Sequence, residues 1–295
     1  MAGSCRNGGQ PLFRFGARGP LLRASIATEN WSTTLCTIPV VNWNVADREL
    51  VSWLGAPKTD LGWCGYKIDS QPDATWLLHA MYEHESGQAE LTYDQQQRQR
   101  LAAGLEQRST IPGFDLDDRS VLIGNELGRS VHPGPGWKRL RWTELAPRLG
   151  QPAVAEGQYP SFRSLSDAHP SGSWPVSIRP PAEGSLDRES WQTLIDVLIA
   201  WCRGGADTPC VAYFGPAVSG EFDTGVTVCG LLGDAADLYD HPSGVGSPSN
   251  MWAADRSWIT WSDWDLCGTK VAGPTELIDL LQAAPDVEAL RLPWC

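Results

Sequence analysis

A short stretch near the C-terminus, DRSWITWSDWDL, combines carboxylates with tryptophans at spacings that suit catalysis or binding. If residues 257–265 form one strand, Trp261, Asp263 and Asp265 share a face, because successive side chains of a strand point to opposite sides. Trp264 then lies on the other face, and Asp255 precedes the strand. We take five residues of this stretch as candidate binding residues: Asp255, Trp261, Asp263, Trp264 and Asp265.

The aspartates of this stretch fit three different roles. In an enzyme, Asp263 and Asp265 would act as acid and base or hold a cation, and tryptophans stacked on sugar rings would suit a carbohydrate hydrolase. In a binding protein, the carboxylates would meet Lys or Arg of a partner while the tryptophans anchor the interface. In a structural role, Asp263 would cap a turn and Arg256 would pair with Asp255. The sequence leaves these three alternatives open.

Other residues that could do chemistry do not stand at the spacing that a catalytic or metal site requires. The segment from His79 to His84, with Glu83, contains one residue more than the H-x-x-E-H motif of some zinc peptidases. The acidic run Asp115–Asp118 lacks the glycine and the distant glutamate of a calcium-binding loop. Neither a nucleophile turn G-x-S-x-G nor a glycine-rich phosphate loop occurs. The sequence therefore predicts no metal and no cofactor.

The charge of the chain indicates the kind of partner it would bind. The formal net charge is −12, and residues 1–28 carry four arginines and no acid, so the remaining residues carry −16. So acidic a body repels phosphate backbones, which argues against nucleic acid and favours a basic protein partner. No apolar run is long enough to span a membrane, and no secretory signal opens the chain, so we expect no membrane association and a cytoplasmic location. The eight cysteines show no C-x-x-C spacing.

The second half of the chain has the clearer secondary-structure pattern. Asp187 caps a predicted helix with an apolar stripe that runs from Trp191 to Trp201, and Gly273-Pro274 opens another helix that ends before Pro285. Strands are predicted around these helices at residues 175–179, 210–214, 224–231, 257–262, 269–272 and 287–292. This order predicts an α+β fold in which helices pack on one face of a mixed β-sheet.

The first half predicts shorter elements. Asp47 caps a short helix through Leu54, and residues 74–83 form an apolar run that fits a strand or a helix equally well. Thr92 and Gln95 form a capping box that leads a polar helix to about Arg108. A short strand is predicted at Val121–Ile123, and Thr143 is predicted to cap a further short helix.

These elements suggest an organisation in four parts. Residues 1–28 read as a disordered basic tail, and residues 29–149 as an N-terminal α+β region. Residues 150–173 are rich in Gly, Pro and Ser without periodicity, which predicts a linker or long loop. Residues 174–295 then form a C-terminal α+β domain, so that the protein would have two halves of similar size.

The stretch from Asp255 to Leu281, DRSWITWSDWDLCGTKVAGPTELIDLL, resembles C-terminal segments of uncharacterised actinobacterial-type accessory proteins. Some of these look like immunity proteins that neutralise a toxin. The resemblance is confined to this part of the chain and brings no catalytic residue with it. Together with the acidic body, it favours a soluble immunity- or inhibitor-like protein that binds a basic protein through an acidic, tryptophan-bearing surface. A hydrolase with paired carboxylates is the alternative.

Overall fold

The computed structural model describes residues 42–54, 71–87, 91–105, 131–156, 158–161, 165, 174–215 and 225–291. All of these belong to one compact unit, Val40–Cys295. The predicted tail over residues 1–28 and the predicted strand Val121–Ile123 lie outside the described residues. Two sheets and several helices make up the described part, which confirms the predicted α+β class.

Strands that are distant in sequence form the two sheets. The strands are β1 Asn44–Val45, β2 Asp73–Leu78, β3 Met81–His84, β4 Trp137–Leu140, β5 Ile178–Arg179, β6 Pro209–Phe214, β7 Val226–Leu231, β8 Asn250–Ala253, β9 Ile259–Ser262, β10 Gly268–Gly273 and β11 Glu288–Leu290. The larger sheet has eight strands in the order β1-β7-β6-β8-β9-β10-β2-β11, and the smaller has three in the order β4-β3-β5. All pairs between the described strands are antiparallel, although we expected a mixed sheet.

Both sheets combine strands from before and after the stretch predicted as a linker. β2 lies between β10 and β11 in the larger sheet, and β3 lies between β4 and β5 in the smaller one. Within the predicted linker, Val154, Pro160 and Leu165 are buried, and Val154 and Leu165 belong to a hydrophobic cluster. The described residues of the two predicted halves therefore share their sheets and part of their core.

Helices cover one face of the larger sheet. They are α3 (Arg188–Trp201), α4 (Thr275–Ala283) and the 3-10 segments Gly205–Asp207 and Leu232–Asp240. Asp187 caps α3 by accepting a hydrogen bond from the Ser190 backbone N–H at 3.0 Å, as the sequence predicts. The stripe of α3 packs with Leu77, Phe214 and Val271 of the sheet. Each large apolar side chain buried in this way stabilises the fold by about 1.5–3 kcal/mol.

The other face of the larger sheet is covered by shorter elements. The 3-10 segment Arg48–Leu54 lies over one half, and α2 (Trp142–Arg148) with the smaller sheet lies over the other. Trp76 and Trp261 pack together there with ring centroids 5.6 Å apart. Gly268 leaves them the room, because a Cβ at that position would lie 2.8 Å from Pro160 and 3.2 Å from the Trp76 ring. The remaining helix, α1 (Tyr93–Ala102), begins with the predicted capping box of Thr92 and Gln95.

Several sequence predictions need correction at this level. The apolar run 74–83 is divided between β2 and β3, and the helix predicted to reach about Arg108 ends at Ala102. β8 and the 3-10 segment Leu232–Asp240 were not predicted. α2 begins at Trp142 with Arg141 as its N-cap residue, so Thr143 does not cap it.

Candidate functional site

The five predicted binding residues are spread along β9 and the turns at its two ends. The strand ends at Ser262, and the backbone N–H of Leu266 donates to the carbonyl of Asp263 at 3.1 Å, which closes a turn. A single strand over residues 257–265 is therefore wrong. Asp255 lies in the turn before β9, while Trp264 and Asp265 lie in the turn after it. At ~3.3 Å per residue, the four residues of β9 alone hold the two turns about 13 Å apart.

Trp261 and Asp263 lie in the interior and not on the surface that the sequence led us to expect. Trp261 is 1% exposed and contacts Trp76 and the ring of Tyr159, and Asp263 is 0% exposed. β9 is a central strand with a neighbour on each edge and all four of its residues are buried, which accounts for Trp261, and Asp263 follows directly in the turn. Neither side chain is open to a macromolecular partner in this structure.

The other three candidates reach solvent, but at opposite ends of β9. Asp255 is exposed, and its carboxylate accepts hydrogen bonds from the backbone N–H and hydroxyl of Ser257 at 3.0 and 2.7 Å. Trp264 and Asp265 are half-buried. Gly184 packs closely on the backbone of Trp264, because a Cβ at Gly184 would lie 3.1 Å from the Trp264 Cα. A part in binding stays a prediction for these residues.

A larger group of carboxylates lies on the outer side of the helices. We call this surface the acidic layer and define it by residues 188–207, 232–240 and 275–286. It contains nine acids and two basic residues, Arg188 and Arg203. Eight of the acids are exposed and Asp234 is half-buried. The acids are Glu189, Asp196, Asp207, Asp234, Asp237, Asp240, Glu276, Asp279 and Asp286.

Among the residues that the structure describes, ion pairs compensate only a small part of this negative charge. Arg188 donates to both carboxylate oxygens of Asp240 at 2.7 and 2.8 Å, and its guanidinium carbon lies 4.5 Å above the ring of Tyr239. The hydrogen bond to Asp240 raises the pKa of Arg188. From outside the layer, Arg291 pairs with Asp279 at 2.8 Å. The acids that remain give the layer a strongly negative field, which attracts cations and basic proteins.

A polar cluster fixes the N-terminal end of α3. Asp187 accepts from the Ser190 hydroxyl at 2.7 Å, and Arg139 of β4 donates to the same hydroxyl at 2.7 Å while lying 3.7 Å from Asp187. Burial raises the pKa of Tyr82 above its usual range, and the charges of Asp187 and Glu189 raise it further, against the opposing effect of Arg139. The cluster joins α3 to the smaller sheet.

A second polar chain runs through the interior from β2 to β9. Nδ1 of His79 lies 2.7 Å from the carbonyl oxygen of Ala182, and Nε2 lies 3.1 Å from the Thr269 hydroxyl, which is 2.6 Å from the Ser262 hydroxyl. Because a carbonyl only accepts, Nδ1 carries the proton and Nε2 accepts from Thr269. Burial lowers the pKa of His79 to about 4, against the raising effects of the Ala182 carbonyl and of Asp187. His79 is thus neutral at pH 7.

The hydrogen bonds among His79, Thr269 and Ser262 resemble a hydroxyl activated by histidine, but a substrate cannot reach them. Activation of a nucleophile needs a hydroxyl within reach of a base and also within reach of the molecule it attacks. Ser262 and Thr269 are each 1% exposed and His79 is 0% exposed. We therefore assign these hydrogen bonds a structural role, in which they link the loop at Ala182 to the start of β10.

The cysteines and the histidine motif show no catalytic geometry in the described residues. Burial raises the pKa of Cys202 and raises that of Cys210 to about 12, so neither is a thiolate at neutral pH. The Cys202 sulfur accepts a hydrogen bond from the Trp258 indole at 3.2 Å. Glu83 pairs with Arg148 at 2.8 Å, and no three metal-ligating side chains converge among the residues that the structure describes.

Neither the helices nor comparisons with known proteins assign the described site to a class of protein. None of the helices in the described ranges has the length and apolar character needed to cross a membrane. Comparisons of the chain with protein-family models, with curated proteins and with solved structures found no match.

Proposed function

We propose that this protein is a cytoplasmic, non-enzymatic binding protein, immunity- or inhibitor-like, that engages a basic protein partner through the acidic layer. The observation that carries the proposal is the composition of that surface. Nine carboxylates and two arginines lie on adjoining helices, and one of the arginines is already bound by Asp240. The surface differs from the one that the sequence suggested, since Trp261 and Asp263 are buried.

The physical roles of charge and apolar contact differ in such an interface. A field of one sign steers an oppositely charged partner and raises the association rate, whereas desolvated apolar anchors supply most of the affinity. Leu280 of α4 is 46% exposed, and Glu276 and Asp279 are neighbours on the same outer side of the helix. An apolar side chain with an acidic surround suits a partner that presents Lys or Arg around an apolar contact.

Asp255 lies close to this layer, which keeps one sequence-predicted residue in the proposal. Its charge acts on both Cys202, next to the C-terminal end of α3, and Cys210 at the start of β6. The turn that contains Asp255 lies beside that end of α3, because the Trp258 indole donates to the Cys202 sulfur at 3.2 Å and the backbone N–H of Ala254 donates to the carbonyl of Pro209 at 2.8 Å. We include it at the border of the binding surface.

The test is a comparison of two variants with equal change in charge. The layer variant carries Asp196→Asn, Asp237→Asn and Glu276→Gln, and the control carries Glu49→Gln, Glu85→Gln and Glu156→Gln at exposed positions outside the layer. A partner is first captured from native extract of the source cells at low salt and identified. Its dissociation constant with each purified variant is then measured at two salt concentrations.

The layer variant is expected to bind about 3- to 150-fold more weakly, because three exposed charge contacts contribute roughly 0.2–1 kcal/mol each. The control should bind as the unmodified protein does, and the captured partner should be basic. Equal weakening by both variants, or no retained basic protein at low salt, would overturn the proposal. Urea unfolding of both variants checks that each is folded.

The hydrolase alternative receives no support from a specific contact. It needs two carboxylates at a cleft that a substrate can enter. Asp263 is 0% exposed. Asp265 lies in the turn that the Asp263 carbonyl closes, so the two carboxylates do not share a face of one strand. We therefore carry only the binding function forward.

A further inference from the structure

We draw no further inference here: the strongest candidate, the face of the smaller sheet on which Arg139 and Arg179 flank Tyr82, carries nothing because the charges of Asp187 and Glu189 offset the guanidinium charge at Tyr82, and nothing in the structure shows which ligand would bind there.

Discussion

Replacing the buried imidazole of His79 by a side chain that does not titrate should remove a measurable part of the acid sensitivity of the protein. In the folded state the pKa of His79 is lowered to about 4, from its ordinary value of 6.5. Between pH 6.5 and about pH 4, His79 therefore binds a proton in the unfolded chain but not in the folded protein. The free energy of unfolding falls as the pH is lowered from about 6.5 to about 4, and is higher above that range.

The magnitude follows from the size of the pKa difference. One pKa unit corresponds to about 1.4 kcal/mol, so the full loss at this site is about 3 kcal/mol. Between pH 7 and pH 5 the expected loss is about 2 kcal/mol, which avoids the range where most carboxylates titrate. Glutamine at position 79 keeps a polar group near the Ala182 carbonyl and the Thr269 hydroxyl but has no proton to exchange in this range.

The assay is urea unfolding of the unmodified protein, of His79→Gln and of His132→Gln at pH 7, 6 and 5. His132 is exposed, and its replacement is the matched control for the loss of one imidazole outside the core. The unmodified protein should lose about 2 kcal/mol more than His79→Gln over this interval. If both lose the same amount, His79 is not held neutral and the hydrogen-bond chain is wrong. NMR titration of the imidazole in the unmodified protein gives an independent reading should His79→Gln fail to fold.

Substitutions at three further positions, Glu288, Arg256 and Gly268, test single contacts of the fold by urea unfolding. Glu288→Gln should lower the free energy of unfolding by about 1.5–3 kcal/mol, because the Glu288 carboxylate accepts from the backbone N–H groups of Trp142 and Thr143 at 2.7 and 2.8 Å at the start of α2. The control Glu276→Gln, at an exposed position of α4, should lower it by less than about 0.5 kcal/mol. Equal effects of the two substitutions would contradict the contact. Arg256 has φ +60° in the β8–β9 turn and lies 4.6 Å over the Trp53 ring, so Arg256→Gly should be more stable than Arg256→Ala by about 1 kcal/mol, and the reverse order would refute the strain. Gly268→Ala should cost about 1–3 kcal/mol through the clash with Pro160, and a neutral result would show that this packing gives way.

Local signals in the sequence predicted the elements that are stabilised by neighbours in the chain. The cap of Asp187, the buried stripe of α3, the capping box at Thr92 and the inward residues Leu277, Ile278 and Leu281 of α4 are confirmed. In each case the information lies within one or two helical turns. A cap bonds a backbone group three residues away, and a stripe repeats every three or four residues.

Pairing between distant strands has no such local signal, and the prediction of the site depended on it. The sequence could not show that β2 enters the sheet between β10 and β11, nor that the chain turns at Asp263 and returns as β10 beside β9. The turn at Asp263 ends the alternation on which the acidic, tryptophan-bearing face was based. Glu288 likewise appears in sequence as one acid in a strand, although its carboxylate binds the start of a helix 146 positions earlier in the chain.

The structure divides the polar residues of this protein into two groups with different physical consequences. Buried ones such as His79, Asp187 and Glu288 form hydrogen bonds that link separate elements, so the fold itself accounts for them. The carboxylates of the acidic layer instead lie together on the outer side of the helices, where mutual repulsion lowers the stability of the compact state. Two of these carboxylates, Asp240 and Asp279, pair with arginines, and under the proposed function a partner of opposite charge would compensate the charge of the others. The stretch DRSWITWSDWDL therefore contributes mainly to the core, and the proposed function rests on the helices α3 and α4.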